Sequence, residues 1–298
     1  MEINIFQVDA FSSKPFGGNQ AGVIPNAKWL KESDMQKIAN EINLPETSFV
    51  RQRDDNLFKI KFFTPLCEVN LCGHATIATF YTLAEKNYIK PIRNGIKKVF
   101  METNIGRFPV EIRYENSEPK YVAMEQGRPK TISKIENFNE LLDILNLELS
   151  DIGVIDEFID PEIISTGRLD IILPIKEKEI LDNIKVDFCE LSNYCKSMGV
   201  IGVHVFHIPE INSHKIYARN FAPLVGINEE AATGTANGGL IYYLKKNSLI
   251  NENLITVSQG ESLNRLSEIY CYIDKDKDGF IVKVGGKANI TMEGIIKF

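Results

Sequence analysis

The chain has 298 residues, 44% of them apolar and 25% charged, the composition of a soluble globular protein with one large or two ordinary domains. A formal net charge of −6 and a pI near 5.4 argue against nucleic acid or an anionic membrane as the main partner, since both select a basic face. Five scattered cysteines (Cys67, Cys72, Cys189, Cys195 and Cys271) fit a reducing cytoplasm better than a disulfide framework. The opening residues alternate like a strand and lack a basic n-region, so no signal or transit peptide is expected; no apolar run approaches a membrane span, and a cytoplasmic protein is the expectation.

In chain order, short runs rich in Ile, Val, Phe and Tyr, bounded by Gly, Pro, Asn or Asp, predict strands over 3–8, 21–24, 47–51, 58–63, 98–102, 108–113 and 121–125. The same signals continue over 163–174, 202–207, 215–221, 255–259, 269–273 and 280–284. Mixed polar and apolar spacing predicts surface helices over 31–42, 135–145 and 190–198. The stretches after Gly73 and Gly234 differ. Ala75, Ile77, Ala78, Phe80, Tyr81 and Leu83 leave little polar face, and Leu240 to Leu244 leave less, so both helices are expected to be buried.

Those two helices belong to one repeated element. Phe63, Pro65 and Leu66 precede a polar loop, Gly73, Ala75 and an apolar helix; Phe221, Pro223 and Leu224 precede another loop, Gly234, Ala236 and an apolar helix. Tyr81 and Leu83 match Tyr242 and Leu244 at equal offsets. The economical architecture is α+β: two pseudo-symmetric halves, 1–125 and 126–298, each a curved, mostly antiparallel sheet wrapped around a central helix, with the last strand allowed to return to the first half. The passage between halves is placed near 115–120 and 126–130.

A Gly-led helix start has two readings. The glycine can simply permit a tight loop-to-helix turn. Alternatively the unpaired N–H groups of the first turn and the positive end of the helix dipole form an anion site, and two such starts brought face to face would hold a carboxylate or phosphate in a cleft. The matched pair flanked by ionisable residues favours the cleft. Two metal-like patterns are set aside. Asp274, Asp276, Asp278 and Gly279 open like a calcium loop, yet the twelfth position is Gly285 where a bidentate Glu is required, so a polar hairpin turn at Asp278-Gly279 is expected. Cys67, Cys72 and His74 lack a further ligand cluster at structural-zinc spacing, and no metal or cofactor is expected.

Glu46 lies between a predicted helix and a strand, where a carboxylate is usually a solvated cap. Its neighbours change the reading. Asp9-Ala10-Phe11, Pro15-Phe16-Gly17-Gly18-Asn19, Pro45-Glu46-Thr47-Ser48-Phe49, Phe63-Thr64-Pro65 and Cys72-Gly73-His74-Ala75-Thr76 stand in the first half. Ser165-Thr166-Gly167, Arg219-Asn220-Phe221-Ala222-Pro223, Ala232-Thr233-Gly234-Thr235-Ala236 and Ser258-Gln259-Gly260 stand in the second. In this order the set resembles the phenazine-biosynthesis PhzF-like family. The resemblance implies the diaminopimelate-epimerase-like fold, with an active site between two similar halves. It further implies a cofactor-independent isomerase that moves a proton between carbons of a small carboxylated substrate, as in trans-2,3-dihydro-3-hydroxyanthranilate isomerase.

On that resemblance Glu46 is the proton-transferring residue, its pKa expected to be raised by burial from a reference near ~4.3. His74 would hydrogen-bond substrate or tune Glu46. Gly73, His74, Gly234 and Thr235 would hold the substrate carboxylate through backbone N–H groups, and Asn19 would help to position it. Where the family reads Glu-Asp-Pro-Ala-Thr-Gly-Ser, this chain reads Glu229-Glu230-Ala231-Ala232-Thr233-Gly234-Thr235. Glu230 thus replaces an assisting Asp, and either the substrate differs or Glu230 reaches in from a shifted loop. An amino-acid epimerase of the same fold would need a thiol from each half, and Thr233 stands where the second belongs. A catalytically silent binding or scaffold protein is the non-enzyme alternative. A homodimer is expected, with the site encoded within one chain.

Overall fold

The computed structural model describes residues 2–297, so the terminal residues Met1 and Phe298 of the two expected halves lie outside the described residues. The fold is mostly sheet with few helices, and the chain divides into two compact units, Met1–Glu125 with Gly285–Phe298, and Gln126–Val284. The first unit contains β1 (Glu2–Ala10), β2 (Asn19–Ile24), α1 (Glu32–Ile42), β3 (Glu46–Gln52), β4 (Leu57–Phe63), β5 (Glu68–Val69) and α2 (Gly73–Glu85). It continues through β6 (Asn94–Thr103), β7 (Gly106–Glu115) and β8 (Glu118–Glu125). The second opens with β9 (Lys130–Lys134), α3 (Asn139–Leu145), β10 (Glu162–Ser165), β11 (Leu169–Pro174), α4 (Lys178–Asn183) and α5 (Phe188–Met198). Then follow β12 (Gly202–His207), β13 (Lys215–Ala222), β14 (Ile227–Glu230), α6 (Gly234–Lys246), β15 (Leu254–Gln259), β16 (Ser267–Asp276) and β17 (Gly279–Gly286), before β18 (Ala288–Lys297) pairs with β1.

Most strand pairs are antiparallel, but each unit has two parallel ones: β2–β3 and β4–β6 in the first, β11–β12 and β13–β15 in the second. Parallel neighbours cannot be joined by a tight hairpin and need a crossover of a dozen or more residues, usually helical. Every helix but α3, which joins the antiparallel β9 and β10, occurs at one of these crossovers: α1 between β2 and β3, α2 between β4 and β6, α4 and α5 between β11 and β12, α6 between β13 and β15. Topology therefore forces α2 and α6 to begin beside a strand end, which is where the candidate residues cluster.

Helix α2 packs on β1, β2, β3, β7, β8 and β18, and α6 on β10, β11, β12 and β16. Burying α2 requires its threonine hydroxyls to be satisfied. Thr76, Thr79 and Thr82 donate to the carbonyls of Cys72, Ala75 and Ala78, four residues back, at 2.6, 2.6 and 2.8 Å. Gly239 lets α6 approach β10 and β11: a Cβ there would meet Ile164 at 3.4 Å and Ile172 at 3.5 Å. Helix α1 covers another face of the first unit, where Met35, Ile38 and Ala39 join Ile5, Ile24, Phe49 and Phe63. No helix of the described residues is long and apolar enough to cross a membrane.

Several local expectations need correction. The single strand over 163–174 is a hairpin, β10 and β11, because Gly167 turns the chain at φ 120° and pairs Ser165 with Leu169. The polar run 115–120 is a tight turn in which Asn116 and Ser117 take positive φ and Glu115 pairs with Glu118 inside the first unit. Strands β5, β9, β14 and β18 and helix α4 add to the sequence reading; β9 and β18 carry many polar or exposed residues, which hides their alternation. The Asp274–Gly279 run joins β16 to β17, with the Asp276 carboxylate gripped by Arg128 at 2.6 and 2.9 Å.

Candidate active site

In the first unit a hairpin, a strand start and a helix start converge. Asp9 Oδ2 accepts the Phe16 N–H at 2.7 Å, and Gly18 closes the turn at φ 63°, where a Cβ would stand 2.0 Å from the Ala10 carbonyl oxygen. That hairpin delivers Asn19 as the first residue of β2. Glu46 is the first residue of β3, held beside Ala21 by the parallel ladder. Cys72 is the extended residue that caps α2, without a side-chain capping bond, and Gly73 and His74 open the helix. The helical ladder starts with the Thr76 N–H on the Cys72 carbonyl, so the N–H groups of Gly73 and His74 have no partner within the helix.

These elements bring together Asn19, Glu46, Gly73 and His74. His74 Nε2 lies 2.9 Å from Glu46 Oε2, with the two side chains 7% and 16% exposed. Its other nitrogen, Nδ1, lies 3.3 Å from the Asn19 amide and 3.5 Å from Cys72 Sγ. Burial disfavours the charged imidazolium, but the Glu46 carboxylate and its hydrogen bond, with the Cys72 sulfur beside the ring, outweigh it and raise the His74 pKa from its usual 6.5. Burial, reinforced by the Glu46 charge, pushes the Cys72 thiol up. The sulfur therefore stays protonated near neutrality, and Glu46 is the counter-charge that acts on the ring. The arrangement is a carboxyl group and an imidazole in direct contact beside a helix N-terminus.

In the second unit Thr233 is the extended cap of α6, followed by Gly234 and Thr235. A Cβ added at Gly234 would meet nothing within 4 Å, so packing does not demand the glycine. Glu230 ends strand β14 and does not reach in from a loop; its Oε2 accepts the Thr233 hydroxyl at 2.6 Å. Gln259 Nε2 donates to the Glu230 carbonyl at 2.8 Å and to Thr233 Oγ1 at 3.2 Å. The Thr235 carbonyl accepts the Thr166 hydroxyl at 2.8 Å, which ties the β10–β11 turn to the helix start.

Behind these residues lies a neutral network that sequence reasoning missed. Asn237 Nδ2 donates to the Thr233 carbonyl and to Gln259 Oε1, both at 2.8 Å. Asn237 Oδ1 must then accept from His204 Nε2, 3.2 Å away. Burial lowers the His204 pKa to about 4, so the ring is neutral and carries a single N–H; its Nδ1 lies 3.1 Å from Asn220 Oδ1. Asp170 on β11 was also missed: burial, followed by the nearby Glu230 charge, pushes its carboxyl up to about 7 against Arg168. A buried charged residue in an otherwise apolar strand, Leu169–Pro174, was the available signal.

The sequence matches the phenazine biosynthesis-like protein family, PhzC-PhzF, over residues 8–294. The chain belongs to this family, and with it to the isomerases. It is similar to an uncharacterized isomerase of Clostridium acetobutylicum, 36% identical, with 97% of this chain and 96% of that protein covered. Among solved structures it resembles a phenazine biosynthesis protein of the PhzF family from Bacillus anthracis, with a TM-score of 0.87, 27% identity and full coverage of both chains. A hydroxyproline epimerase from Agrobacterium vitis shares the fold, with a TM-score of 0.60 at 9% identity, covering 99% of this chain and 91% of that one. The fold is thus epimerase-like.

Proposed function

We propose that the protein is a cofactor-independent isomerase that moves a proton between carbons of a small carboxylated substrate, in the manner of trans-2,3-dihydro-3-hydroxyanthranilate isomerase. The observation that carries the reading is the 2.9 Å contact between Glu46 and His74 at the start of α2. The Glu46 carboxylate takes the proton from the substrate carbon. His74 keeps the carboxylate positioned and supplies positive charge as electron density moves onto the substrate, and the proton returns at another carbon. The first-turn N–H groups at Gly73 and His74, and those at Gly234 and Thr235, are the proposed anchors for anionic groups, with Asn19 orienting the His74 ring. Glu230, held by Thr233, is the assisting carboxylate.

Two further features complete the reading. The two units, each carrying parallel crossovers in the same order, are proposed to be pseudo-symmetric copies of one half, each a curved sheet around its central helix. The molecule is proposed to act as a cytoplasmic homodimer; light scattering that gives a monomer near 33.7 kDa refutes the dimer. A two-thiol epimerase is disfavoured because the Cys72 thiol is pushed up and Thr233 stands at the second cap. The test is deuterium wash-in: small carboxylated compounds, cyclic dihydroxylated and dihydro acids among them, incubated with enzyme in deuterated water and read by mass spectrometry. Enzyme-dependent incorporation that needs Glu46 supports the reading. Incorporation that survives Glu46→Gln and vanishes in Cys72→Ser overturns it in favour of thiol chemistry.

A further inference from the structure

The side chains of Glu46, Cys72 and His74 offer three donor atoms of different kinds within 4.8 Å of one another. His74 Nε2 stands 2.9 Å from Glu46 Oε2 and 3.8 Å from Cys72 Sγ. A tetrahedral zinc ion bound through S at about 2.3 Å, N at about 2.0–2.1 Å and O at about 2.0–2.2 Å separates its ligand atoms by roughly 3.3–3.6 Å. The two separations fall on either side of that range, and the third, from Glu46 to Cys72, lies within 4.8 Å, so side-chain movement on the order of an ångström closes the triad around one ion. Thiolate, imidazole and carboxylate together match a borderline-soft cation and not magnesium or calcium, which take oxygen.

The surroundings support the ring as a ligand. Asn19 sits 3.3 Å from Nδ1, the nitrogen turned away from Glu46. The amide Nδ2 facing Nδ1 holds the ring's orientation, an outer-shell contact of the kind that positions metal-bound histidines. Cys67, grouped with Cys72 and His74 by sequence alone, takes no part: it is exposed and lies against Thr64. The partner that the linear pattern could not supply is Glu46, brought in by the parallel pairing of β2 and β3.

We propose that Glu46, Cys72 and His74 form a three-ligand site for a divalent cation of the zinc class, and that occupancy reversibly switches the isomerase off. As the ion binds, the thiol proton and the proton shared by Glu46 and His74 pass to solvent, so no co-reactant is needed. The binding claim stands on the triad alone. The switching claim rests on the proton-transfer role proposed above, because the cation occupies the lone pairs that the mobile proton uses.

Cobalt(II) serves as the probe. The full-length, metal-free protein carries Cys67→Ser and Cys189→Ser to remove the two exposed thiols. Titration should give a thiolate-to-cobalt charge-transfer band that saturates at one equivalent and is erased by zinc. Cys72→Ser should abolish the band, and Glu46→Gln, which keeps the side chain's size and carries the test should the serine variant not fold, should weaken cobalt binding at least about tenfold. Absence of a band at one equivalent, or a band indifferent to both substitutions, overturns the site. In a second arm, one equivalent of zinc should stop deuterium wash-in and a chelator should restore it. Unchanged wash-in with the site filled by absorbance overturns the switch while leaving the isomerase reading intact; a filled site in a protein that never shows wash-in faults that reading and not the site.

Discussion

The two helix starts share a backbone and differ in their protons. Cys72 and Thr233 are both extended caps without a side-chain capping bond, at φ −139° and −127°, each followed by glycine and a 13-residue helix that crosses over between parallel strands. At the first start, an imidazole whose pKa is raised well above 6.5 faces a carboxylate at 2.9 Å. At the second, the only histidine of the network is neutral, lowered to about 4, and its neighbours are amides that hold one another in fixed orientations. Two helix starts of one backbone geometry can therefore differ in their titration, because burial and the choice of partner raise the histidine beside one and lower the histidine behind the other. The second start is built to hold Glu230 still through Thr233 and Gln259.

The largest effect that this comparison predicts is at Glu46. Glu46→Gln removes the proposed proton acceptor and the counter-charge of His74 together, and should cut deuterium wash-in by about a hundredfold or more, the usual scale of general acid–base catalysis. Nitrogen NMR on the same variant should show the His74 ring deprotonating at lower pH than in the parent protein. A variant within a few-fold of the parent would place the proton elsewhere and dissolve the contrast between the two starts.

Asp170 tests the second unit through stability. Its carboxyl rises from an ordinary 3.8 to about 7, so between those values the folded state holds a proton that the unfolded chain has released. The native state's advantage is full below 3.8 and is lost as pH climbs through about 7. Asp170→Asn should be nearly neutral for stability at pH 4 and stabilising at pH 8, by on the order of 4 kcal/mol at most. Urea unfolding at the two pH values measures it, and an equal effect at both would mean that Asp170 titrates normally.

How much of this was legible in the sequence depended on the range of the interaction. The two buried helices were visible because their apolar residues run nearly all round, and their glycine starts because Gly73 and Gly234 repeat within matched surroundings. The family motifs pointed to Glu46 and His74 as functional residues, and the structure sets them in contact. The neutral network was not legible: His204, Asn220, Asn237 and Gln259 come from four elements, and only pairing of β12 with β13, and packing of α6 among the strands, makes them neighbours. The hairpin at 163–174 was hidden for a different reason. Its turn is only Thr166-Gly167-Arg168, flanked by β-branched residues that look like one continuous strand.

A sharper version of the comparison comes from Glu230. If the second start only positions, Glu230→Gln should keep the Thr233 contact through its amide oxygen and lower wash-in by about tenfold, well short of the loss at Glu46. Equal losses would mean that both carboxylates exchange protons with substrate, and the neutral surroundings of the second start would then need another explanation. Gly234→Ala should leave folding intact, since its added methyl meets nothing within 4 Å, while raising KM for a carboxylated substrate.

The smallest expected effect is at Cys72. Its sulfur lies 3.5 Å from His74 Nδ1 and caps α2 only through its backbone, and burial with the Glu46 charge keeps it a thiol. Serine preserves the extended cap and places a hydroxyl where the sulfur was, shorter by a few tenths of an ångström in bond length. The ring keeps its contacts to Glu46 and Asn19, so wash-in should fall by only a few-fold in Cys72→Ser. A loss equal to that of Glu46→Gln would show that the sulfur itself handles the proton. The contrast between the halves would then be thiol against hydroxyl at two matched caps, and the 2.9 Å pair of Glu46 and His74 would serve to activate Cys72 in place of acting on substrate.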